Sequence, residues 1–190
     1  MHSKSAPRTA SAAGFTLVET LLIVALVGII AGISIVQFQA TLRQLRADAN
    51  VRIIQWQLTT AREMAMNQRR DMQIQFLNPS GVAAIRQEIP NGTTLLSTVY
   101  LEGNVSFRTY AGLPDTPDGF GNTAPVSFGS ATTLKFTSDG AFVDQSGRAV
   151  NGSIFFGVPS QVETARAITI FGATGRVRSW RWQGRNGWMH

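Results

Sequence analysis

An uncharged apolar run near the N-terminus of this 190-residue chain limits the folds that the chain can adopt. No residue between Thr20 and Leu42 carries a charge, and residues 21–36 contain a single polar side chain, Ser34. About 20 residues of helix are enough to cross a lipid bilayer. The stretch from Phe15 to Val36 reaches that length, so it predicts a membrane-spanning helix.

The order of segments around this run distinguishes two kinds of apolar N-terminus. A secretory signal peptide places its small residues and its cleavage site after the apolar stretch. Here the small residues 11–14 come before it. A cut there would leave the apolar helix on the product, so the pattern favours a retained helix. An ordinary signal-anchored membrane protein remains the alternative.

Glu19 is the one acidic residue at the start of the apolar run. A carboxylate within a bilayer costs roughly 2.5–3.5 kcal/mol on insertion scales, and such residues are usually functional. Glu19 is therefore a candidate functional residue. The alternative is that it lies at the membrane edge and reaches water.

Composition argues against most enzyme classes. The chain has no Cys, and its two histidines are His2 and His190. A Ser-His-Asp triad or a His-ligated metal would therefore need a residue near one end of the chain. The remaining acidic pairs show no distinctive spacing. We accordingly predict no enzyme activity, no catalytic residues, no cofactor and no metal.

The residues Gly14-Phe15-Thr16-Leu17-Val18-Glu19 resemble the leader of type IV pilins and type II secretion pseudopilins. The match combines a short basic leader, Gly before Phe, Glu four residues after that Phe, and an uncharged apolar run. The resemblance implies that prepilin peptidase cuts between Gly14 and Phe15 and that the new N-terminus is methylated. It also implies that Glu19 pairs with the Phe15 amine of a neighbouring subunit during filament assembly.

The same resemblance implies a location and partners. The protein would cross the bacterial inner membrane once, with its C-terminal domain in the periplasm. It would join a pseudopilus or pilus made of other pilins or pseudopilins. The charges flanking the apolar run do not decide this orientation, because basic residues lie on both sides of it.

The helix is predicted to continue well past the apolar run, from about Thr16 to about Gln68, because no Pro interrupts it. Apolar residues recur at steps of three and four, which predicts one helix face packed on a globular domain. That face comprises Phe38, Leu42, Leu45, Ala49, Ile53, Trp56, Thr60 and Met64, widened by Ile54, Leu58, Ala61 and Ala65.

Within the apolar run, Gly28 and Gly32 form a Gly-x-x-x-Gly pair that permits close helix packing, although small residues are also common in membrane helices.

After Gln68 the apolar period changes from 3.6 to 2, which predicts a series of short strands. The predicted fold class is α+β, a long N-terminal helix packed on an antiparallel, two-sheet globular domain, which is pilin-like. Residues Tyr110–Ala131, rich in Pro and Gly, predict a long surface loop. The predicted organisation is a cleaved leader at 1–14, a transmembrane and filament-core half-helix at 15–42, an amphipathic half-helix at 43–70, and a β-rich periplasmic domain at 71–190.

The C-terminal part carries a second resemblance. Leu134–Gly140 followed by Ala167–Phe171 and Gly175-Arg176-Val177-Arg178 is similar to the GspH/FimT branch of minor pseudopilins and pilins. The resemblance implies a minor pilin or pseudopilin that supports protein secretion or pilus biogenesis. In the FimT-like branch, the Gly-Arg-x-Arg motif is associated with DNA capture for natural transformation.

The charge of the C-terminal segment makes DNA a second candidate partner. Residues 164–190 hold five arginines and no acid, whereas residues 101–163 hold six acids and three basic residues, a net charge of −3. Arginines beside aromatic rings can neutralise phosphates and stack on bases. Alternatively, the tryptophans fill a core and the arginines protect an edge strand. The candidate DNA-binding residues are Arg176, Arg178, Trp180, Arg181 and Trp182.

Two Asp-Gly sequences raise the possibility of calcium, which needs several oxygen ligands. They are Asp118-Gly119, with Asp115 three residues before it, and Asp139-Gly140. Asp-Gly is far more often a turn sequence. The sequence therefore predicts turns at both places and no metal site.

Overall fold

The computed structural model describes residues 16–88 and 90–190, with the backbone alone at 35–37 and 40. This described part contains one α-helix, α1 (Leu17–Gln68), followed by eleven β-strands. The chain divides into two compact units, Met1–Thr41 and Leu42–His190. The predicted helix from about Thr16 to about Gln68 is confirmed, as is the α+β class.

The described part of the first unit is the apolar beginning of α1. Thr16 caps the helix, because its Oγ1 accepts a hydrogen bond from the backbone N–H of Glu19 at 3.2 Å, as N-terminal capping residues do. The hydroxyls of Thr20 and Ser34 donate to carbonyl oxygens one turn earlier, each at 2.8 Å, so both are satisfied within the helix. Polar side chains bonded in this way are compatible with an apolar environment.

One segment of the described chain, Leu17–Ser34, is long and apolar enough to cross a membrane. None of its residues is buried within the protein. A core helix of a soluble domain would bury such a segment. The predicted membrane-spanning helix is therefore supported by length, composition and exposure.

In the second unit, the remainder of α1 packs one face into the hydrophobic core. That face lies one residue away from the main stripe that the sequence predicted. Leu45 and Trp56, both from the predicted stripe, keep 56% and 60% of their surface exposed. The prediction was wrong in choosing the buried face, although it included part of it as a widening of the stripe. The buried residues are Ala47, Asn50, Val51, Ile54, Gln57, Leu58, Ala61 and Ala65.

The helix ends without a glycine. Arg69 adopts a left-handed conformation with φ of 50°, and the N–H of Arg70 bonds to the carbonyl oxygen of Ala65 at 3.2 Å. This is the hydrogen-bond pattern of a Schellman cap, in which glycine usually takes the left-handed position. The chain then enters β1 (Met72–Leu77).

Two antiparallel sheets form the rest of the second unit. The strands are β1 (Met72–Leu77), β2 (Gly81–Gln87), β3 (Thr93–Tyr100), β4 (Ser106–Phe107), β5 (Val126–Ser127), β6 (Leu134–Phe136), β7 (Phe142–Val143), β8 (Gly152–Gly157), β9 (Arg166–Phe171), β10 (Arg176–Trp182) and β11 (Trp188–Met189). Strands β3-β2-β1-β6-β7 make a five-stranded sheet. Strands β11-β10-β9-β8-β4 follow one another in a six-stranded sheet, in which β5 also pairs with β8. The antiparallel two-sheet prediction is confirmed.

The hydrophobic core lies between α1 and the inner faces of both sheets. Ile54 and Leu58 of the helix belong to one buried cluster with Met72 of β1 and Ile168 of β9. A second, smaller cluster lies on the other face of the six-stranded sheet and includes Trp180. The period-2 pattern of the strands places residues of β9 and β10 alternately in these two clusters.

The segment Tyr110–Ala131 is more structured than the sequence predicted. It contains β5, and Phe128 within it is 5% exposed and packs in the main core. Asp115 holds the first part of the segment, since its carboxylate accepts bonds from the N–H groups of Thr116 and Gly121 at 2.7 and 2.6 Å. The surface-loop prediction was therefore wrong for the end of this segment.

Candidate functional site

The first candidate site is the N-terminal turn of α1. Glu19 is exposed and occupies the third helical position, where the positive end of the helix dipole favours a carboxylate. The pattern Thr16-Leu17-Val18-Glu19 has the spacing of a capping box, a local feature that the sequence analysis missed. The predicted cleavage site at Gly14 and Phe15, and with it the proposed amine partner, lies outside the described residues.

Gly28 and Gly32 lie on the exposed apolar part of the helix. A Cβ atom built on either one would meet nothing within 4 Å. The backbone at these two positions is therefore open to approach by another helix, as a Gly-x-x-x-Gly contact would require. Whether it is used that way stays a prediction.

The helix within the second unit has a second apolar face that no described residue covers completely. We call Leu42, Leu45, Ala49, Ile53 and Trp56 the outer stripe. Leu45, Ala49 and Trp56 are exposed, and Leu42 and Ile53 are half-buried. Trp56 and Ile53 also line an open groove of about 440 Å³ beside Tyr100 of β3. Large exposed apolar surfaces of this kind usually mark contact sites.

The candidate nucleic-acid residues lie on β10, and its two tryptophans belong to a small core. Trp180 is 8% exposed, and its indole N–H donates to Thr169 Oγ1 at 3.0 Å. Trp182 is half-buried and packs edge-on against Trp188, with ring centroids 5.5 Å apart. The ring of Trp180 is therefore unavailable for stacking on a base in this conformation.

Arg178 lies beside these tryptophans and is neutralised by an acid of the Tyr110–Ala131 segment. Its Nη1 donates to Asp118 Oδ1 at 2.8 Å, and the Asp118 side chain is 7% exposed. Thr169 Oγ1 donates to the other carboxylate oxygen of Asp118 at 2.5 Å. The guanidinium also lies over the Phe171 ring, 5.0 Å from its centroid, which is a cation–π contact. These contacts fasten the segment to the sheet.

The other two arginines of β10 differ in their surroundings. Arg181 faces the helix, where it lies 3.5 Å from Asp48 Oδ2 and donates to Gln44 Oε1 at 3.1 Å. Arg176 is exposed and forms no ion pair with the described residues. The structure thus separates the predicted DNA-binding set into one freely exposed arginine and four residues with internal contacts.

Gly175, which precedes Arg176 in the motif, has a structural reason to be glycine. Its φ is +60°, and a Cβ there would lie 2.1 Å from the Gly140 carbonyl oxygen and 2.8 Å from Arg62 Nε. The same Nε donates to the Gly140 oxygen at 3.0 Å. The glycine therefore allows two turns and the helix to meet closely.

The Asp-Gly sequences form turns, as predicted. Hydrogen bonds, first from the hydroxyl of Thr137 and then from the backbone N–H of Ala141, hold the pKa of the Asp139 carboxyl below its usual value. Asp115 and Asp118 are bonded as described above. Across residues 16–88 and 90–190, no group of three or more His, Cys, Asp or Glu side chains is placed to hold a metal ion.

Arg166 of β9 is a buried charge that the sequence analysis did not identify. It is 1% exposed, and its Nε donates to Asp48 Oδ1 of the helix at 2.6 Å. Its Nη1 donates to the carbonyl oxygens of Ala165 at 2.9 Å and Glu163 at 3.2 Å. The one available signal was Asp48, a lone acid between buried positions of the helix.

Comparison of this chain with protein-family models, with curated proteins and with solved structures finds no match.

Proposed function

We propose that this chain is a minor pilin or pseudopilin, a structural subunit that assembles through its N-terminal helix. It would serve in a type II secretion pseudopilus or a type IV pilus, after cleavage between Gly14 and Phe15 by prepilin peptidase. The observation that carries the proposal is the helix segment Leu17–Ser34, apolar, entirely exposed and acidic at Glu19 alone. An apolar surface of that extent needs a lipid or protein environment.

The architecture supports the proposal. A long helix whose later part packs on antiparallel β-sheets is the arrangement expected of a pilin-like protein, and α1 with the two sheets has that arrangement within the second unit. In this proposal the second unit is periplasmic and the first unit is anchored in the inner membrane before assembly.

The outer stripe gives a second, independent line of support. A helix that only anchored the second unit to a membrane would need one apolar face, which the core already uses. The exposed side chains of Leu45 and Trp56 are apolar surface that a neighbouring subunit could cover. Assembly through the helix accounts for both apolar faces.

Glu19→Ala tests the assembly mechanism, with Glu63→Ala as its matched control. Both residues are exposed acids of α1, but Glu63 lies in the second unit and forms no ion pair with the described residues. If Glu19 pairs with the amine of a neighbour, its variant inserts in the membrane normally but forms few filaments. Glu63→Ala should assemble normally. Equal assembly of both variants would reject the pairing.

The proposed cleavage has its own test. Replacing Gly14 with Leu should block the peptidase and leave the leader attached. Intact-mass measurement of the wild-type protein should give a chain that begins at methylated Phe15. A wild-type chain that retains the leader would overturn this part of the proposal.

The alternative function, DNA binding in uptake during transformation, lacks a supporting contact in the described tail. Arg178 is held by Asp118, Arg181 by the helix, and Trp180 by its own core. The alternative predicts that the protein shifts the electrophoretic mobility of DNA, that the shift weakens with salt, and that it disappears in Arg176→Ala. We expect the full chain in detergent to show no shift that depends on Arg176. A shift lost in that variant would restore the alternative.

A further inference from the structure

A cleft between α1 and the six-stranded sheet concentrates positive charge. Within the second unit, a cavity of about 220 Å³ is lined by Arg52 of the helix, Arg166 of β9 and Arg181 of β10. Asp48 is the one Asp or Glu side chain in that lining. The lining thus contains three arginine side chains and one acidic side chain, an excess of two positive side chains. Gln55, Ser179 and His190 are the other polar lining residues.

The hydrogen bonds of the cleft leave donors unused. Asp48 Oδ1 accepts a hydrogen bond from Arg166 Nε, and Asp48 Oδ2 lies 3.5 Å from Arg181 Nη1, a longer distance than a direct hydrogen bond prefers. Nη2 of Arg166 is buried and has no hydrogen-bond partner among the described residues. A buried, unpaired guanidinium donor is unfavourable, and this one belongs to a residue that is 1% exposed.

Arg52 supplies the accessible side of the same cleft. It is exposed and forms no ion pair with the described residues. A guanidinium presents its N–H groups as a planar fork that matches carboxylate and phosphate oxygens. Arg52 can therefore bind an anion without giving up an ion pair that the fold needs.

We propose that this cleft is a binding site for a small oxyanion, either a carboxylate or a phosphate group. The anion accepts hydrogen bonds from Arg52 and Arg181. It also neutralises positive charge of the lining arginines that Asp48 alone does not neutralise. The inference does not depend on the proposed function. Its ligand could be a free solute or an acidic side chain of another subunit, since the recognition chemistry is the same.

Titration calorimetry on the full chain in detergent micelles tests the site. Sodium phosphate and sodium succinate are the probes, with sodium chloride at equal ionic strength as the reference. We expect wild type to bind both oxyanions, and Arg52→Gln to bind them about tenfold more weakly, the loss of one charge-assisted contact. Arg52→Lys should lie between them, because it keeps the charge but not the fork.

Arg185→Gln is the matched control, because Arg185 is an exposed arginine outside the cleft. It should bind both probes as wild type does. Absence of binding beyond the chloride reference, or equal affinity of wild type and Arg52→Gln, would overturn the proposal. So would an equal loss in Arg185→Gln, since that result means diffuse charge rather than a site.

The source of the ligand is resolved by measuring self-association at saturating phosphate, using light scattering. If an acidic side chain of a neighbour fills the cleft, phosphate competes and self-association weakens in wild type but not in Arg52→Gln. If the natural ligand is a solute, phosphate binds and self-association is unchanged. Both results presuppose that calorimetry detects oxyanion binding in the cleft. Both can be interpreted even if the protein is not a pilin.

Discussion

Removing Asp48 should destabilise the second unit more than removing its partner Arg166. The two residues join the helix to β9 through a 2.6 Å contact, but they are buried to different degrees. The Arg166 side chain is 1% exposed, whereas the Asp48 side chain is 25% exposed. Asp48→Ala therefore leaves the Arg166 guanidinium unpaired where water cannot reach it. Arg166→Met leaves the Asp48 carboxylate unpaired, but water can reach that carboxylate.

The magnitude follows from that asymmetry. Removing one partner of a buried ion pair costs about 3–5 kcal/mol of unfolding free energy, because the remaining charge is uncompensated. We take about 3 kcal/mol for Asp48→Ala, the lower end, since the pair is partly hydrated on the Asp48 side. Arg166→Met should cost about 1 kcal/mol, because Met fills much of the same volume and the remaining carboxylate is hydrated.

Urea unfolding of the full chain in detergent, followed by tryptophan fluorescence, measures both variants. With an m value of about 2 kcal/mol per M, Asp48→Ala should lower the midpoint by about 1.5 M and Arg166→Met by about 0.5 M. The double variant should resemble Arg166→Met, because no buried charge remains. If Asp48→Ala proves no more damaging than Arg166→Met, the ion pair does not compensate the buried guanidinium and the reasoning fails.

Three further predictions concern other parts of the second unit. Trp56→Ser should change the unfolding free energy by no more than about 0.5 kcal/mol, as surface substitutions usually do. If the chain assembles as proposed, the same variant should reduce filament assembly, because Trp56 belongs to the exposed outer stripe. A large loss of stability would contradict the assignment of Trp56 to the surface. Gly172→Ala should cost about 3 kcal/mol in urea unfolding, since its Cβ would lie 2.4 Å from the Val150 nitrogen. Gly147→Ala is the control, because a Cβ there has nothing within 4 Å and is disfavoured only by the positive φ. It should cost about 1 kcal/mol of unfolding free energy. Equal losses in the two glycine variants would contradict the crowding argument. The Ser146 hydroxyl holds the pKa of Asp144 below its usual value, so Ser146→Ala should raise that pKa in an NMR titration. Stability from this bond is present above the unfolded pKa and is lost as pH falls through the folded one, so wild type should lose more on acidification than the variant.

Most of the longer strands were predictable because they carry their own local signal. Met72, Ile74 and Phe76 alternate with polar residues, and Asn78–Gly81 supplies the turn into β2. The short strand β5 had no such signal, since two residues show no period. Its place is set by pairing with β8 and by Phe128 entering the core.

The tail shows where local patterns stop being informative. The alternation along β10 places Arg178, Trp180 and Trp182 on one face of the strand. It could not predict that Asp118, 60 residues earlier, binds Arg178. Nor could it predict that Arg181 turns to Asp48, because both contacts depend on how distant segments meet. Charge counts alone therefore overestimated how many arginines are free to bind a ligand.

The two apolar faces of α1 illustrate the same limit and connect it to function. Hydrophobic periodicity indicates that a face is driven to leave water, but it does not say which surface will cover it. The sheets cover the helix face that carries the small residues Ala47, Ala61 and Ala65, because small side chains let the helix approach the sheets closely. The bulkier Leu45 and Trp56 remain outside, where burying their apolar surface would yield about 25 cal/mol per Å². A monomer cannot recover that free energy. In the proposed filament an adjacent subunit would cover the outer stripe and recover it, which is the physical reason to look for a subunit contact there.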